Sequence, residues 1–116
     1  MALSSVTMLR NLASQKLDKF VQIRRRTDAP VGINELESQF SEQVSRWARI
    51  QPVGAGIYTE GQQAGHYITH RIWLRFVQGI TTAHEVVHGR HVYRVLRASD
   101  VDGGKRYTVL EVEQLQ

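Results

Sequence analysis

The segment from His66 to Phe76, HYITHRIWLRF, alternates between two kinds of side chain over its whole length. One face carries Ile68, Ile72, Leu74 and Phe76 with His66 and His70, and the other carries Tyr67, Thr69, Arg71, Trp73 and Arg75. A period of two is that of a β-strand, whereas a helix would distribute the arginines around its circumference. We therefore predict a half-buried central strand, with one face on a core and a basic, aromatic face towards solvent or a partner.

Shorter segments with the same period predict further strands at residues 20–26, 44–50, 85–87, 91–96 and 107–112. Residues 27–34, which contain Pro30 and Gly32, are expected to turn, as are residues 100–104. The fold class that follows is all-β, a small antiparallel barrel or sandwich of about six strands. The predicted core includes Val21, Ile23, Ala48, Ile50, Ile68, Ile72, Leu74, Leu110 and Val112.

Pro52 is expected to end the second strand, and residues 53–65 are expected to form a long glycine-rich loop before the third. Long loops in compact domains are usually functional. The spacing from Gly56 to Gly61 is that of a phosphate-binding loop, but Gln62 stands where that motif requires lysine. The loop therefore predicts a contact surface rather than a nucleotide site.

The chain is expected to divide into an N-terminal arm, residues 1–18, and a β domain, residues 19–116. Apolar residues recur in the arm at helical spacing, namely Leu9, Leu12, Ala13 and Leu17. A helix of this length is marginal alone, so we expect the arm to order by docking. Its polar face carries few cations, which disfavours membrane-surface binding.

Composition limits the remaining classes of protein. A chain of 116 residues builds one domain, and no run approaches the roughly 20 apolar residues of a membrane span. The absence of cysteine excludes disulfides, thiolate zinc sites and cysteine nucleophiles, and indicates a protein made in the cytosol. No catalytic constellation and no cofactor motif is recognisable.

The net charge of +4 is carried mainly by arginine, with 12 Arg against 3 Lys. The planar guanidinium group suits phosphates and interfacial carboxylates, so DNA or an acidic protein surface is a reasonable partner. The candidate contact residues on the first and central strands are Arg24, Arg25, Arg26, Arg71, Trp73 and Arg75.

Residues 84–88 spell H-E-x-x-H, the signature of zinc proteases. In those enzymes both histidines lie one helical turn apart, but Val86 and Val87 are β-branched and Gly89 follows at once. In a strand the two histidines would lie about 13 Å apart, too far to share one zinc ion. We predict a strand here, with no metal site and no peptidase activity.

The order of elements resembles the phage head-tail joining family, the small head-closure or stopper proteins of long-tailed phages. The resemblance covers residues 17–115, and its pieces are KFVQIRRR, the Trp47–Pro52 strand, Thr69–Ile72, the Gly89–Arg90 hairpin with HVYRV after it, and the Asp-rich turn before the last strand. The family usually begins its first strand near the N-terminus, so the arm here is additional. It also often carries tryptophan in the hairpin where this chain has Phe40.

The resemblance implies a non-enzymatic virion protein, assembled in the host cytoplasm as a ring of typically twelve copies. Such a ring lies between the portal or adaptor protein and the tail terminator or tail-tube protein, around a channel that holds double-stranded DNA. We expect the long loop to line or obstruct that channel through Gly54, Gly56, Ile57, Tyr58, Glu60 and Gly61.

The competing class is a monomeric nucleic-acid-binding barrel of the OB type. Such a barrel also presents a basic strand face with aromatic residues, here Tyr67, Arg71, Trp73 and Arg75. A ring component should assemble with its neighbours, whereas an OB module should stay small and bind single strands with steep salt dependence.

Overall fold

A computed structural model describes residues 16–30, 32, 35–58 and 67–116 of the protein. The strands in these ranges are β1 (Lys19–Pro30), β2 (Leu36–Tyr58), β3 (Tyr67–Arg75), β4 (His84–His88), β5 (His91–Asp100) and β6 (Tyr107–Gln114). A short 3-10 turn, Val101–Gly103, connects β5 to β6. Within the described ranges no helix is long and apolar enough to cross a membrane. Most of the predicted arm lies outside them.

The strands close into a barrel in the order β1-β2-β3-β6-β5-β4, and each pair is antiparallel. Closure comes from β4, which pairs with β1 from His84 to Val87. A closed barrel leaves no free sheet edge around its girth, so the strand segments within the closed part have a neighbouring strand on each side. The predicted all-β antiparallel architecture is confirmed.

Strand β2 organises the barrel because its 23 residues serve two partners in succession. Its first part pairs with β1 from Leu36 to Ala48, and its second part pairs with β3 from Ala48 to Tyr58. Beyond the part of β1 that β4 covers, Arg26–Pro30 pair with Leu36–Phe40 and with no other described strand. We call this two-stranded projection the β1–β2 ribbon. It contributes to an elongated shape of 54 × 29 × 25 Å.

The prediction that Pro52 ends the second strand is wrong. Strand β2 continues to Tyr58, which pairs with Tyr67, after a register irregularity between Pro52 and Ile57. Pro52 lies beyond Ala48, the last residue of β2 that pairs with β1, so its missing N–H breaks no bond on that side.

The predicted loop is therefore shorter than expected. Gly54, Gly56, Ile57 and Tyr58 belong to β2, while Glu60 and Gly61 lie outside the described residues. The first turn is also shorter than expected, because β1 extends to Pro30, opposite Leu36.

The core lies inside the barrel, where alternate residues of each strand point. Its buried members are Val21, Ile23, Ala48, Ile72, Leu74, Val86, Tyr93, Val95, Leu110 and Val112. Ile68 is also buried, and Ile50 is partly buried against this cluster. The nine predicted core residues thus all face the core. The predicted facing of the central strand is confirmed for its apolar side.

His70 and Tyr93 pack together on the inward-facing side of β3 and β5. Their rings meet edge to face with centroids 5.1 Å apart, and His70 Nδ1 lies 3.0 Å from the Thr69 hydroxyl. Burial lowers the pKa of His70 from its usual value, and the nearby His91 lowers it further. Neutral histidine is therefore the form that the folded barrel prefers.

Replacing Ile72, which has no exposed surface, with aspartate should unfold the barrel. An unpaired buried charge costs several kcal/mol, against a typical total stability of about 5 to 15 kcal/mol. Gln39→Asp, which adds the same charge at an exposed position of the ribbon, is the matched control. Circular dichroism melting checks both variants, and an Ile72→Asp protein that melts like the parent would show that the facing of β3 is wrong.

Stability should fall as the pH drops below about 6.5, the pKa of histidine in an unfolded chain. In that range the histidine of the unfolded chain binds a proton. His70 in the folded barrel binds it less readily, because its pKa is lowered. Above that pH the contribution of neutral His70 to the stability of the folded protein is fully present. Urea titrations between pH 5 and 8, within reach of ordinary buffers, should show a weaker dependence for His70→Gln than for the parent. An unchanged slope would contradict the assignment to His70.

Candidate interaction surface

Two carboxylates lie almost fully buried on the outside of the barrel, each held by arginines from neighbouring strands. The first is Glu85 on β4, whose side chain is only 5% exposed. Arg24 on β1 donates to it from Nε and Nη2 at 3.3 and 3.1 Å, and Arg26 donates from Nη1 at 3.3 Å. The Arg24 guanidinium also stacks 3.6 Å from the centroid of the Phe40 ring, which fastens the base of the ribbon to the barrel.

The second buried carboxylate is Glu111 on β6, which lies between β3 and β5. Arg71 on β3 approaches it at 3.5 Å, and Arg97 on β5 forms a closer ion pair. A register shift between Val95 and Arg97 makes this possible. The bulge changes the phase of β5, so Val95 is buried inside while Arg97 stands opposite Glu111 on the outer face.

These contacts divide the predicted basic residues into those that hold the barrel together and those that remain available to a partner. Arg24, Arg26 and Arg71 are committed to buried carboxylates and hold strands together. Arg25 is about half exposed and pairs with Glu42 at 3.6 Å. Among the predicted arginines, Arg75 alone makes no ion pair in the described part of the chain; it lies over the Tyr107 ring, 5.7 Å from the centroid.

Trp73 does not belong to an exposed face, and the expectation that it does is wrong. Only 9% of its surface is exposed, because Val101, Tyr107 and Val109 pack against it in a small cluster outside the barrel. The 3-10 turn after β5 brings Val101 over this side of the sheet. The indole Nε1 is buried and has no hydrogen-bond partner among the described residues. Trp73 therefore packs beneath the side chains that form the outer surface here and is not itself part of that surface.

A row of outward-facing side chains crosses four strands beside this cluster. It consists of Phe20 on β1, Trp47 on β2, Arg75 on β3 and Tyr107 on β6, and we call it the aromatic row. Phe20 pairs with Trp47, and Arg75 pairs with Tyr107. Trp47 precedes Ala48 and Arg75 follows Leu74; because Ala48 pairs with Leu74, Trp47 and Arg75 are neighbours across β2 and β3. Phe20 is 55% and Trp47 57% exposed, and their ring centroids lie 5.0 Å apart.

Cations adjoin the aromatic row along the chain. Lys105 and Arg106 directly precede Tyr107, and Lys19 directly precedes Phe20. All three are exposed, and none forms an ion pair with another described residue. Exposed aromatic side chains in contact with each other, rimmed by unpaired charge, are typical of a binding surface.

Sequence reasoning found only part of this surface. Trp47 has the opposite parity to Ala48 and Ile50, which predicts that it faces away from the core, and the exposure of Trp47 confirms this. Phe20, Tyr107, Lys105 and Arg106 were missed, because they become neighbours of Trp47 and Arg75 only through strand pairing across the barrel. An aromatic residue at the first outward position of a strand was the signal available.

The H-E-x-x-H segment is strand β4, as predicted, and not a helix. The Thr81 N–H donates to His84 Nδ1 at 3.0 Å, which leaves the other ring nitrogen facing Glu42 at 3.7 Å. Glu42 adopts a left-handed φ of 52° at a register shift between β1 and β2. Among the described residues, no group of three or more potential ligands could hold a metal ion. His84 thus joins the turn before β4 to the bulge in β2.

The described residues define a class of protein, a small closed antiparallel β-barrel whose most conspicuous surface feature is an outward aromatic and basic patch. Comparison with known families adds the family to this architecture. The sequence pattern of the phage head completion proteins matches residues 12–115, and the chain belongs to that family. It is therefore a phage head protein of a structural, non-enzymatic family. No curated protein matches the chain.

Truncation of Arg24 should destabilise the protein much more than truncation of Arg75. Arg24→Ala removes two donors from buried Glu85 and should cost about 1–3 kcal/mol of unfolding free energy. Arg75→Ala is the matched control and should change stability by no more than about 0.5 kcal/mol. Urea denaturation of both variants measures the difference; equal effects would contradict the division between structural and available arginines.

Proposed function

We propose that this head completion protein forms a ring at the junction between head and tail. In this arrangement one side of the ring meets the portal or adaptor protein, and the other meets the tail terminator or tail-tube protein. Membership of the family and the resemblance of the sequence to head-closure proteins support the location. A ring of about twelve copies, the number that the resemblance implies, would surround the DNA channel.

The observation that carries the proposal is the aromatic row. Two adjacent rings, each more than half exposed, sit on a barrel on which Arg24, Arg71 and Arg97 are already matched by carboxylates. Exposed aromatic residues near unpaired arginine are the composition that protein interfaces favour. A protein that assembles with other virion proteins needs such a surface, and a protein that acts alone does not.

The second part of β2 is proposed to face the channel. Gly54 and Gly56 lie on a stretch of β2 that has left β1, and Ile57 and Tyr58 pair with Ile68 and Tyr67 of β3. The neutralised arginines on the outer face suit a channel through which DNA passes, because paired guanidinium groups attract phosphate less strongly.

One observation favours the alternative of single-strand binding. Phe20, Trp47 and Arg75 combine stacking surfaces with a cation, which is how barrels bind single-stranded nucleic acid without sequence preference. In that case Trp47→Ala should weaken oligonucleotide binding, and the affinity should fall steeply with salt.

Phage particles that assemble without this protein should contain heads that are not joined to tails, because the proposed junction is incomplete. Supplying the parent protein should restore joined particles, and electron microscopy of the junction should show it as a ring. The Arg90→Ala variant, changed in the exposed β4–β5 turn, is a control that should also restore joining. Fully joined, infectious particles in the absence of the protein would overturn the proposal.

A further inference from the structure

The tip of the β1–β2 ribbon has the opposite charge to the end of the barrel that bears the aromatic row. Glu35 and Glu37 are exposed there and form no ion pair with any described residue. Asp28 is already satisfied by Arg26 and Ser38, which hold its pKa below the usual value. The acidic excess at the tip therefore rests on the two glutamates.

The same tip exposes apolar surface. Leu36 is 72% exposed, the largest value among the exposed apolar side chains of the described residues, and it lies opposite Pro30. Phe40 follows on the same side of β2 and is 38% exposed. Two strands that pair only with each other bury little surface of their own, so an exposed leucine at their end gains by covering.

We propose that the β1–β2 ribbon of one copy docks on the aromatic row of a second copy of this chain. Leu36 packs against Phe20 and Trp47, and Glu35 and Glu37 meet the unpaired cations at the row. Those cations are Lys19, Arg75, Lys105 and Arg106. This contact rests on the ring proposed above and specifies how its neighbouring copies join.

The two surfaces cannot meet within one molecule. Lys19 and Pro30 are the two ends of β1, and at about 3.3 Å per residue they lie about 36 Å apart. The strand between them is fixed in the barrel by β2 and β4. The acidic tip and the basic row therefore lie at opposite ends of β1. Their charges can complement each other only between two molecules.

A contact of this kind is head to tail, because it joins two different surfaces of the same chain. Repetition of such a contact produces a ring when the rotation closes. Each copy would use its ribbon once and its aromatic row once. The Arg24–Phe40 stack fixes the ribbon at its base, so the angle between successive copies would be set by the fold.

Cross-linking tests the contact directly, since the chain has no cysteine of its own. Leu36→Cys combined with Ser45→Cys, an exposed residue two positions from Trp47, should yield a ladder of oligomers with a short bis-maleimide. Each single variant should remain monomeric, because one of the two contacting surfaces then carries no thiol. The matched control combines Leu36→Cys with Leu115→Cys, an exposed site at the other end of β6, and should give no ladder. The experiment is done on purified protein and on assembled particles.

Charge reversal supplies a second test that does not depend on cysteine placement. Glu37→Lys and Arg75→Glu should each reduce assembly, measured by native mass spectrometry, and the double variant should recover it. Arg90→Glu, an exposed arginine in the β4–β5 turn, controls for the change in net charge.

The outcomes separate this contact from the proposed function. Protein located at the head-tail junction but without the Leu36–Ser45 ladder would overturn the contact and leave the function standing. A ladder from protein that is absent from the junction would do the reverse. Oligonucleotide binding that is lost in Trp47→Ala, with normal assembly of that variant, would assign the row to nucleic acid and overturn the contact.

Discussion

The fold depends on the way β2 is shared between two partners. Because β1 covers its first part and β3 its second, neither partner can complete a sheet with it alone. The barrel closes only when β4 reaches β1 through four residue pairs. This stagger is also what leaves the β1–β2 ribbon beyond the closed part, so the core and the projection have a common cause.

Closure of the barrel brings charged side chains together on its outer face, where ion pairing offsets the free-energy cost of burying them. A buried carboxylate without a cation is expensive, and both Glu85 and Glu111 have two arginines each. These ion pairs join strands that are distant in sequence, so they depend on the correct strand register as well as stabilising it. The bulge in β5 is part of the same arrangement, since without it Arg97 would point towards the core.

The sequence was sufficient to predict what a period of two encodes. Strand identity and the inward side of β3 follow from alternation between neighbours along the chain, and the strand character of H-E-x-x-H follows from its β-branched valines and the glycine after it. It could not indicate which arginine has a carboxylate opposite, because Arg24 and Glu85 are 61 positions apart. Nor could it reveal that Val101 covers Trp73, or that Pro52 lies beyond the part of β2 that pairs with β1. Each of these depends on register or on a bulge.

Pairing also changes what a net charge of +4 means for this chain. If all the arginines were unpaired, they would give a diffuse positive field attractive to any polyanion. Five of them instead form ion pairs with carboxylates, and among the charges that form none with a described residue are Arg75 and Arg106 at the aromatic row and Glu35 and Glu37 at the ribbon tip. A molecule polarised in this way distinguishes its two ends. Electrostatic complementarity of that kind selects orientation and partner more than it adds affinity, which is the property that an ordered assembly of identical copies requires.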